Sequence, residues 1–386
     1  MPDPSALRML AAPGTLALLL FCGRRLTLLA AALAPRRPAP SVSTAALPTL
    51  TVLVPAHDEA RAVGRLLTSL DRVDYPRERL SVILISDGST DGTAEQFRGW
   101  AVDRPWACVV VLETRAGKAA ALNRARALCV TELVAVCDAD LELRADTLSR
   151  LAAAFTDRRL GAAAAMLNPV NARHSMVSSY AAVETWVHQL ITSAGKDRLD
   201  LNPPALGASV FRRSALEQIG FFPLVADGED VAATRALTAA GWRMRFIVEA
   251  VADNRVACTL TEYWHQHIRW FRSTIHTPLE PDTERRGSVP RRFVAWMLTG
   301  SYTDRLAFAA TAMFVGVDQR ARWVAAAYVG IRALEIVAAV AKADGVRQAP
   351  RYLLQAAVFF VVDVAASAVA TTLHLTRRPR RWQSAR

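Results

Sequence analysis

No two of the five cysteines in this 386-residue sequence stand in a Cys-x-x-Cys pair, and their number is odd. Cys22, Cys108, Cys129, Cys137 and Cys258 therefore offer neither a zinc knuckle nor a closed disulfide framework. Most sit in apolar runs, as buried thiols of a reducing compartment do. His174 and His188 have no ligand cluster beside them, so no zinc site is expected. Acidic residues are in deficit: 35 Asp and Glu stand against 47 Lys and Arg, a formal charge of +12. A basic chain raises nucleic acid as a partner. Zinc-finger spacing, an RNA-recognition signature and a basic heptad are all missing, so no nucleic-acid partner is expected. Instead Arg24-Arg25, Arg36-Arg37, Arg285-Arg286, Arg291-Arg292, Arg377-Arg378 and Arg380-Arg381 lie mostly beside apolar segments. That is how a chain meets an anionic membrane surface.

The apolar content of 52% is high for a soluble enzyme and low for a polytopic membrane protein. Both parts are expected in one chain. Residues 1–34 form a membrane-associated segment with two apolar pieces, 16–22 and 26–33, around Gly23-Arg24-Arg25. Neither piece reaches the ~20 residues of a spanning helix. A signal peptide, a signal anchor and an interfacial helix with snorkelling arginines all stay open. Membrane association without cleavage is favoured, because no small-x-small site follows well after the apolar run. Residues 35–49, rich in Pro, Ser and Ala, read as a linker.

At the other end, 278–290 reads as a loop, 306–317 is apolar but short, and 323–341 carries Arg332 and Glu335 one turn apart. The stretch 353–375 would reach roughly 34 Å as a helix, enough to cross a hydrocarbon core. Asp363 within it costs on the order of 3 kcal/mol on insertion scales. Phe359, Phe360, Val361, Val362 and the leucines of the span can offset that at about 0.3 to 0.6 kcal/mol each, and a pairing with Arg332 is a further expectation. Membrane helices are thus assigned to 306–376, and a basic cytoplasmic tail to 377–386. A soluble helical domain is the alternative.

Between these ends the pattern is α/β. Residues 50–55, 80–86, 109–113, 133–137 and 160–167 are short apolar runs that predict strands, each ending in polar or glycine-rich residues. Helical patterns intervene at 63–70, from 94, from 117 and at 145–155, the punctuation of a mostly parallel sheet whose loops gather at one edge. Asp138 and Asp140 close the fourth run, where two hard oxygen donors suit Mg²⁺ or Mn²⁺ bridging to phosphates. Taken alone, Asp-x-Asp is a weak signal and ordinarily a strand-to-loop cap. Taken singly, Asp87–Thr93 is more ordinarily a turn. Lys118 at a helix start opposes the dipole, a mild misplacement that favours a phosphate nearby, although a solvated lysine is the commoner case.

Residues 175–193 read as a long amphipathic helix. In it Glu184 and His188, one turn apart, read as a solvated pair. Asp227-Gly228-Glu229-Asp230 opens a further helix with three carboxylates, as N-caps or as a general base of raised pKa. Gln266 and Arg269 share a helical face beside Trp270. Arginine is a planar donor for a diphosphate and tryptophan a stacking face for a sugar. An aromatic-rich helix at the membrane surface is the plain reading.

The order Val54-Pro55-Ala56-His57-Asp58-Glu59, Asp87-Gly88-Ser89-Thr90-Asp91-Gly92-Thr93, Gly117-Lys118 with Leu122-Asn123, Asp138-Ala139-Asp140, Glu229-Asp230 and Gln266-His267-Ile268-Arg269-Trp270 resembles the family 2 glycosyltransferases of GT-A fold. The last motif resembles the mark of their processive, membrane-embedded branch, the cellulose, chitin, hyaluronan and poly-N-acetylglucosamine synthases. The resemblance implies a GT-A domain over 50–260, interfacial helices over 261–305, and a catalytic domain facing the cytoplasm. It implies that Pro55, Glu59, Asp87, Lys118 and Asp138 serve the nucleotide, with Asp87 on the base. It gives Asp138 and Asp140 the metal, Asp230 the role of base with Glu229 nearby, and Gly207, Gln266, Arg269 and Trp270 the acceptor and diphosphate. His57-Asp58 departs from the commoner Tyr-Asn, so nothing is carried to His57. Phe221 replaces the second glycine of a common Gly-Gly-Phe. The implied activity is inverting transfer from a nucleotide sugar, uridine-linked in the first place, to a carbohydrate or lipid-linked acceptor. Extension of a cell-envelope or extracellular polysaccharide is favoured. Single transfer to a lipid or natural product, and a non-catalytic membrane scaffold, are the rivals.

Overall fold

Apolar runs bounded by Gly, Asp and Pro become strands of one sheet in the computed structural model, which describes residues 4–35, 47–225, 228–276 and 303–376. The chain divides into two units: Arg36–Val170 with Asn202–Arg255, and Met1–Pro35 with Asn171–Leu201 and Val256–Arg386. The segment Asn171–Leu201, which sequence pattern leaves inside the stretch 50–260, thus clusters with the terminal helices.

The first unit holds the sheet. Its strands are β1 (Leu50–Ala56), β2 (Leu80–Asp87), β3 (Ala107–Leu112), β4 (Leu133–Cys137), β5 (Glu142–Leu143), β6 (Leu160–Pro169), β7 (Ala208–Arg212) and β8 (Arg243–Asn254). Their order across the sheet is β3-β2-β1-β4-β7-β6-β8-β5. β3, β2, β1 and β4 are mutually parallel, and β6 is parallel to β8. β7 runs antiparallel between β4 and β6. That reversal brings Gly207, just before β7, to the edge where β4 ends in Asp138.

Alternation along the strands fills a core on each face. Leu50, Val52, Val54, Val82, Leu84, Leu133 and Ala135 pack with Leu66, Leu70, Phe97, Leu148 and Leu151 of the helices Val63–Asp71, Thr93–Ala101 and Thr147–Ala153. Leu53, Ile83, Ile85, Val134 and Val136 face the other way, onto the helices Lys118–Arg124, Arg213–Gln218 and Glu229–Ala239. A parallel sheet covered on both faces has near-continuous apolar strands, which is why β1, β2 and β4 are legible in sequence. β8 alternates charged and apolar residues and carries no such signal.

The second unit is helical. The N-terminal segment is one helix, Pro4–Leu33, and not two short pieces. Gly23-Arg24-Arg25 does not interrupt it, because both arginines turn inward and Arg25 donates to Asp304 and Glu335. Its last carbonyls accept from Arg198 and Lys342, cations suited to a helix C-terminus. The remaining helices are Met176–Trp186, continued through a π-helical stretch Val187–Ser193 into Ala194–Arg198, then Leu260–His276, Asp304–Ala312, Gln319–Ala343 and Ala349–Leu375. Three stretches, Met9–Leu33, Gln319–Ala343 and Val346–Leu375, are long and apolar enough to cross a membrane.

Their polarity is inverted relative to a soluble bundle. Leu16, Leu19, Leu20, Val329, Leu334, Leu354, Val358 and Val361 face outward. Arg24, Arg25, Arg332, Glu335 and Asp363, the charged residues within 9–33, 323–341 and 352–373, are all buried. Arg332 and Glu335 do pair, at 3.3 Å. The expected bridge from Asp363 to Arg332 does not form. Asp363 instead accepts from Arg305, Tyr180 and Tyr263, while Arg332 reaches Glu184. Glu184 is therefore no solvated partner of His188: it lies between Arg305 and Arg332, whose charges hold its carboxyl at about 2 against the opposing effect of burial. Burial pushes His188 down to about 4. The loop expected at 278–290, the tail 377–386, Asp227 and most of the linker lie outside the described residues.

Candidate active site

At the carboxyl edge of the sheet, the loop after β1 and the loop after β2 are stitched into one floor. Asp58, at φ 53°, accepts from the Thr90 N–H at 2.8 Å. Asp91 accepts from the Ala60 N–H at 2.9 Å, and the Glu59 N–H donates to the Thr93 hydroxyl at 2.9 Å. Aspartate tolerates this left-handed backbone because its short side chain can bond locally, which suits it to such turns. The His57 ring donates through Nδ1 to the Asp87 carbonyl at 2.7 Å. Pro55 lies buried in β1 opposite Ile85.

Asp87 itself is buried, and its two carboxylate oxygens accept from the backbone N–H of Ala116 and Gly117 at 2.7 and 2.8 Å. The strand-end aspartate thus shapes the turn that launches Lys118. Gly88, at φ +64°, allows this: a Cβ there would lie 2.4 Å from the Arg115 nitrogen.

Lys118 finds its anions in the protein. Its Nζ lies 2.7 Å from Asp138 and 2.5 Å from Glu229, so one ammonium joins the end of β4 to the start of the helix Glu229–Ala239. Asp230 is the next residue. Burial, then the neighbouring Glu229 charge, pushes its carboxyl up to about 7, with Lys118 pulling the other way. Burial also raises Asp138 despite Lys118. Gly207 completes the cluster: its carbonyl accepts from the Asp138 N–H at 2.9 Å, and at φ +40° a Cβ would come within 3.4 Å of an Asp138 oxygen.

Asp138, Asp140, Lys118, Glu229 and Gly207 therefore belong to one unit, with Asp230, Asp87 and Glu59. Gln266, Arg269 and Trp270 lie on the helix Leu260–His276 of the other unit. Among the described residues no three His, Cys, Asp or Glu side chains converge as a metal-binding group. Two carboxylates still fit Mg²⁺ or Mn²⁺, which takes one or two of them and fills its shell with water and phosphate oxygens. The Asp138 side chain is 36% exposed and can reach such an ion.

A family model described as "Glycosyltransferase like family 2" matches residues 48–273. The chain belongs to this family. Curated relatives of this glycosyltransferase include the N-acetylglucosaminyltransferase of Rhizobium meliloti (strain 1021), 28% identical over 69% of this chain and 65% of that protein. A probable glycosyltransferase YdaM of Bacillus subtilis (strain 168) is 25% identical over 61% of this chain and 57% of its own length. A beta-monoglucosyldiacylglycerol synthase of Nostoc sp. (strain PCC 7120) is 25% identical over 58% and 48%. The chain thus spans about half to two thirds of these relatives' length. A solved structure, the mannosyltransferase PcManGT from Pyrobaculum calidifontis in complex with GDP-Man and Mn²⁺, matches with a TM-score of 0.65 at 22% identity, over 97% of this chain and 99% of that one. The fold of the glycosyltransferase is GT-A, with apolar helices at both ends.

Sequence reasoning missed the structural duties of Asp58, Asp91 and Asn123. Asn123 brackets the backbone of Phe222, donating to its carbonyl at 2.8 Å and accepting its N–H at 3.0 Å. Phe221 beside it takes φ 77°, the conformation a glycine would adopt freely. The Asp-Gly and Ser-Thr-Asp-Gly runs advertised turns, but which loops they would bind depends on strand order.

Proposed function

We propose that this glycosyltransferase moves a sugar from a nucleoside-diphosphate sugar to a hydroxyl of a carbohydrate or lipid-linked acceptor, with inversion, at a membrane. The observation that carries the reading is the Lys118 bridge between Asp138 and Glu229, which sets a carboxyl of raised pKa, Asp230, beside the strand end where GT-A sheets take their ligands. In the proposed step the acceptor hydroxyl gives its proton to Asp230. Its oxygen bonds the anomeric carbon as the bond from that carbon to the diphosphate breaks, and the nucleoside diphosphate leaves. Asp138 and Asp140 would hold Mg²⁺ or Mn²⁺, which when bound stabilises charge on the leaving diphosphate. The joined loops after β1 and β2, with Pro55, Glu59 and Asp87, are the proposed nucleoside floor. From the resemblance, Gln266, Arg269 and Trp270 are the proposed acceptor and diphosphate contacts.

The outward apolar faces and inward charges of the three long helices support residence in a bilayer, where a buried charge needs partners and an exposed leucine needs none. A catalytic unit on the cytoplasmic side is part of the proposal. Polysaccharide extension is one outcome; single transfer to a lipid is the second reading, favoured by the likeness to beta-monoglucosyldiacylglycerol synthases.

The test is nucleoside diphosphate release from UDP- and GDP-sugars by membranes containing the chain, with and without Mn²⁺ or Mg²⁺, beside an Asp230→Asn control. Metal-dependent release from one donor, lost in the variant, is expected. Product length then separates a polymer from one glycoside. Absence of release from every donor, with the chain folded and inserted and a range of acceptors supplied, would favour a scaffold.

A further inference from the structure

The carboxylate of Asp363 lies in the middle of the apolar helix Ala349–Leu375 and is fully buried. Donors reach it from three other segments of the same unit. Tyr180 donates at 2.8 Å, Tyr263 at 2.5 Å, and Arg305 through Nε and Nη2 at 3.0 and 2.9 Å. Two of these fit a plain structural role, since a charge inside an apolar helix requires a counter-ion and satisfied lone pairs.

Tyr263 does something more. It belongs to the helix Leu260–His276, one turn before Gln266 and about two turns before Arg269 and Trp270. Residues 263, 267 and 270 recur at helical spacing and share a face. The Tyr263 ring stacks on the His267 ring with centroids 3.7 Å apart and planes 22° from parallel. The His267 ring meets Trp270 at 5.1 Å. His267 Nδ1 lies 2.9 Å from the Tyr263 carbonyl and donates to it, which fixes the imidazole's rotation. Tyr263 and His267 are buried, whereas Trp270 is 36% exposed. A run of ring contacts, stacked between Tyr263 and His267 and tilted by 57° between His267 and Trp270, thus leads from a buried carboxylate to a partly exposed indole.

We propose that Asp363 is a positioning residue for the transfer reaction: by anchoring Tyr263, and through it His267, it fixes the orientation of the Trp270 indole that meets the acceptor. This rests on the reading of Gln266, Arg269 and Trp270 as acceptor and diphosphate contacts. An aromatic side chain held from one end presents its face with little rotameric freedom, which is what a sugar-stacking surface requires.

The test compares two hydroxyls on one carboxylate. Tyr263→Phe and Tyr180→Phe each remove a single buried donor to Asp363; the Tyr180 ring also meets Tyr263, at 5.6 Å, but only Tyr263 stacks on His267. Full-length chain in membranes is assayed for nucleoside diphosphate release from UDP-N-acetylglucosamine, UDP-glucose and GDP-mannose, with Tm measured in detergent. Tyr263→Phe is expected to lower kcat about tenfold with the donor KM within twofold. Tyr180→Phe should leave kcat within twofold at a similar loss of Tm. His267→Gln breaks the stack without touching the carboxylate and should reproduce Tyr263→Phe. Equal kcat losses in the two Tyr→Phe variants, or a full kcat in His267→Gln, would overturn the proposal. Trp270→Ala separates the two levels. If it leaves kcat unchanged, the reading of the motif itself fails; if it abolishes turnover while Tyr263→Phe does not, only the positioning role fails.

Discussion

The raised pKa of Asp230 makes a prediction that needs no knowledge of the acceptor. An ordinary aspartate ionises near 3.8, and Asp230 is pushed up to about 7 by burial and by the Glu229 charge beside it. Its carboxylate therefore holds a proton roughly a thousandfold more tightly than an ordinary one. In its proposed role as general base Asp230 works only when ionised, so kcat/KM should fall about tenfold for each pH unit below 7. Near pH 6 roughly one site in ten remains active, and near pH 5 roughly one in a hundred. Lys118 opposes the shift, so Lys118→Gln should move the acid limb to higher pH. Stability carries the opposite sign. Because the native pKa lies above the unfolded one, the contribution of Asp230 to stability is complete below about 4 and is lost as pH rises through about 7. The assay is nucleoside diphosphate release at subsaturating donor from pH 4.5 to 9, with Tm followed over the same range and Asp230→Asn as control. A wild-type profile flat from pH 8 down to 5, or an acid limb unmoved by Lys118→Gln, would refute the reasoning.

Other perturbations test the parts around it. Gly207→Ala should strain a φ of +40° by about 1–2 kcal/mol and crowd Asp138; a several-fold higher metal requirement in the release assay is the expected result. Asp87→Ala leaves the Ala116 and Gly117 amides without their acceptor, at about 1–3 kcal/mol each. Its Tm in detergent should drop, and it should lose donor binding with the Lys118 turn. Val361, 69% exposed on the outward face of its helix, should not tolerate charge: Val361→Glu is expected to reduce the carbonate-resistant membrane fraction, whereas the same change at exposed Val102 of the other unit should not.

The parts legible in sequence are those governed by local chemistry. β1, β2 and β4 declared themselves because strands covered on both faces are apolar along their whole length. The order of their polar ends then made the family recognisable, whereas the two carboxylates that meet Lys118 were not legible from its place at a helix start. β7 and β8 stayed hidden. One is five residues long, and the other alternates arginines and glutamate with its buried residues. The N-terminal segment misled for a different reason: Arg24 and Arg25 read as a break, yet a charge interrupts an apolar helix only when nothing in the fold answers it.

By itself the sequence determined the α/β sheet, the family, the carboxylates at the strand ends and the apolar ends of the chain, because each follows from residue type and spacing along a few turns or strands. Tertiary structure alone decided who meets whom. It turned Lys118 toward Asp138 and Glu229, which are 20 and 111 residues away. It committed the oxygens of Asp87 to the turn before Lys118, and it gave Asp363 to Tyr180, Tyr263 and Arg305 and not to Arg332. Ion pairs and hydrogen bonds act over a few ångströms, so their partners are set by packing between distant segments, which spacing along the chain does not encode.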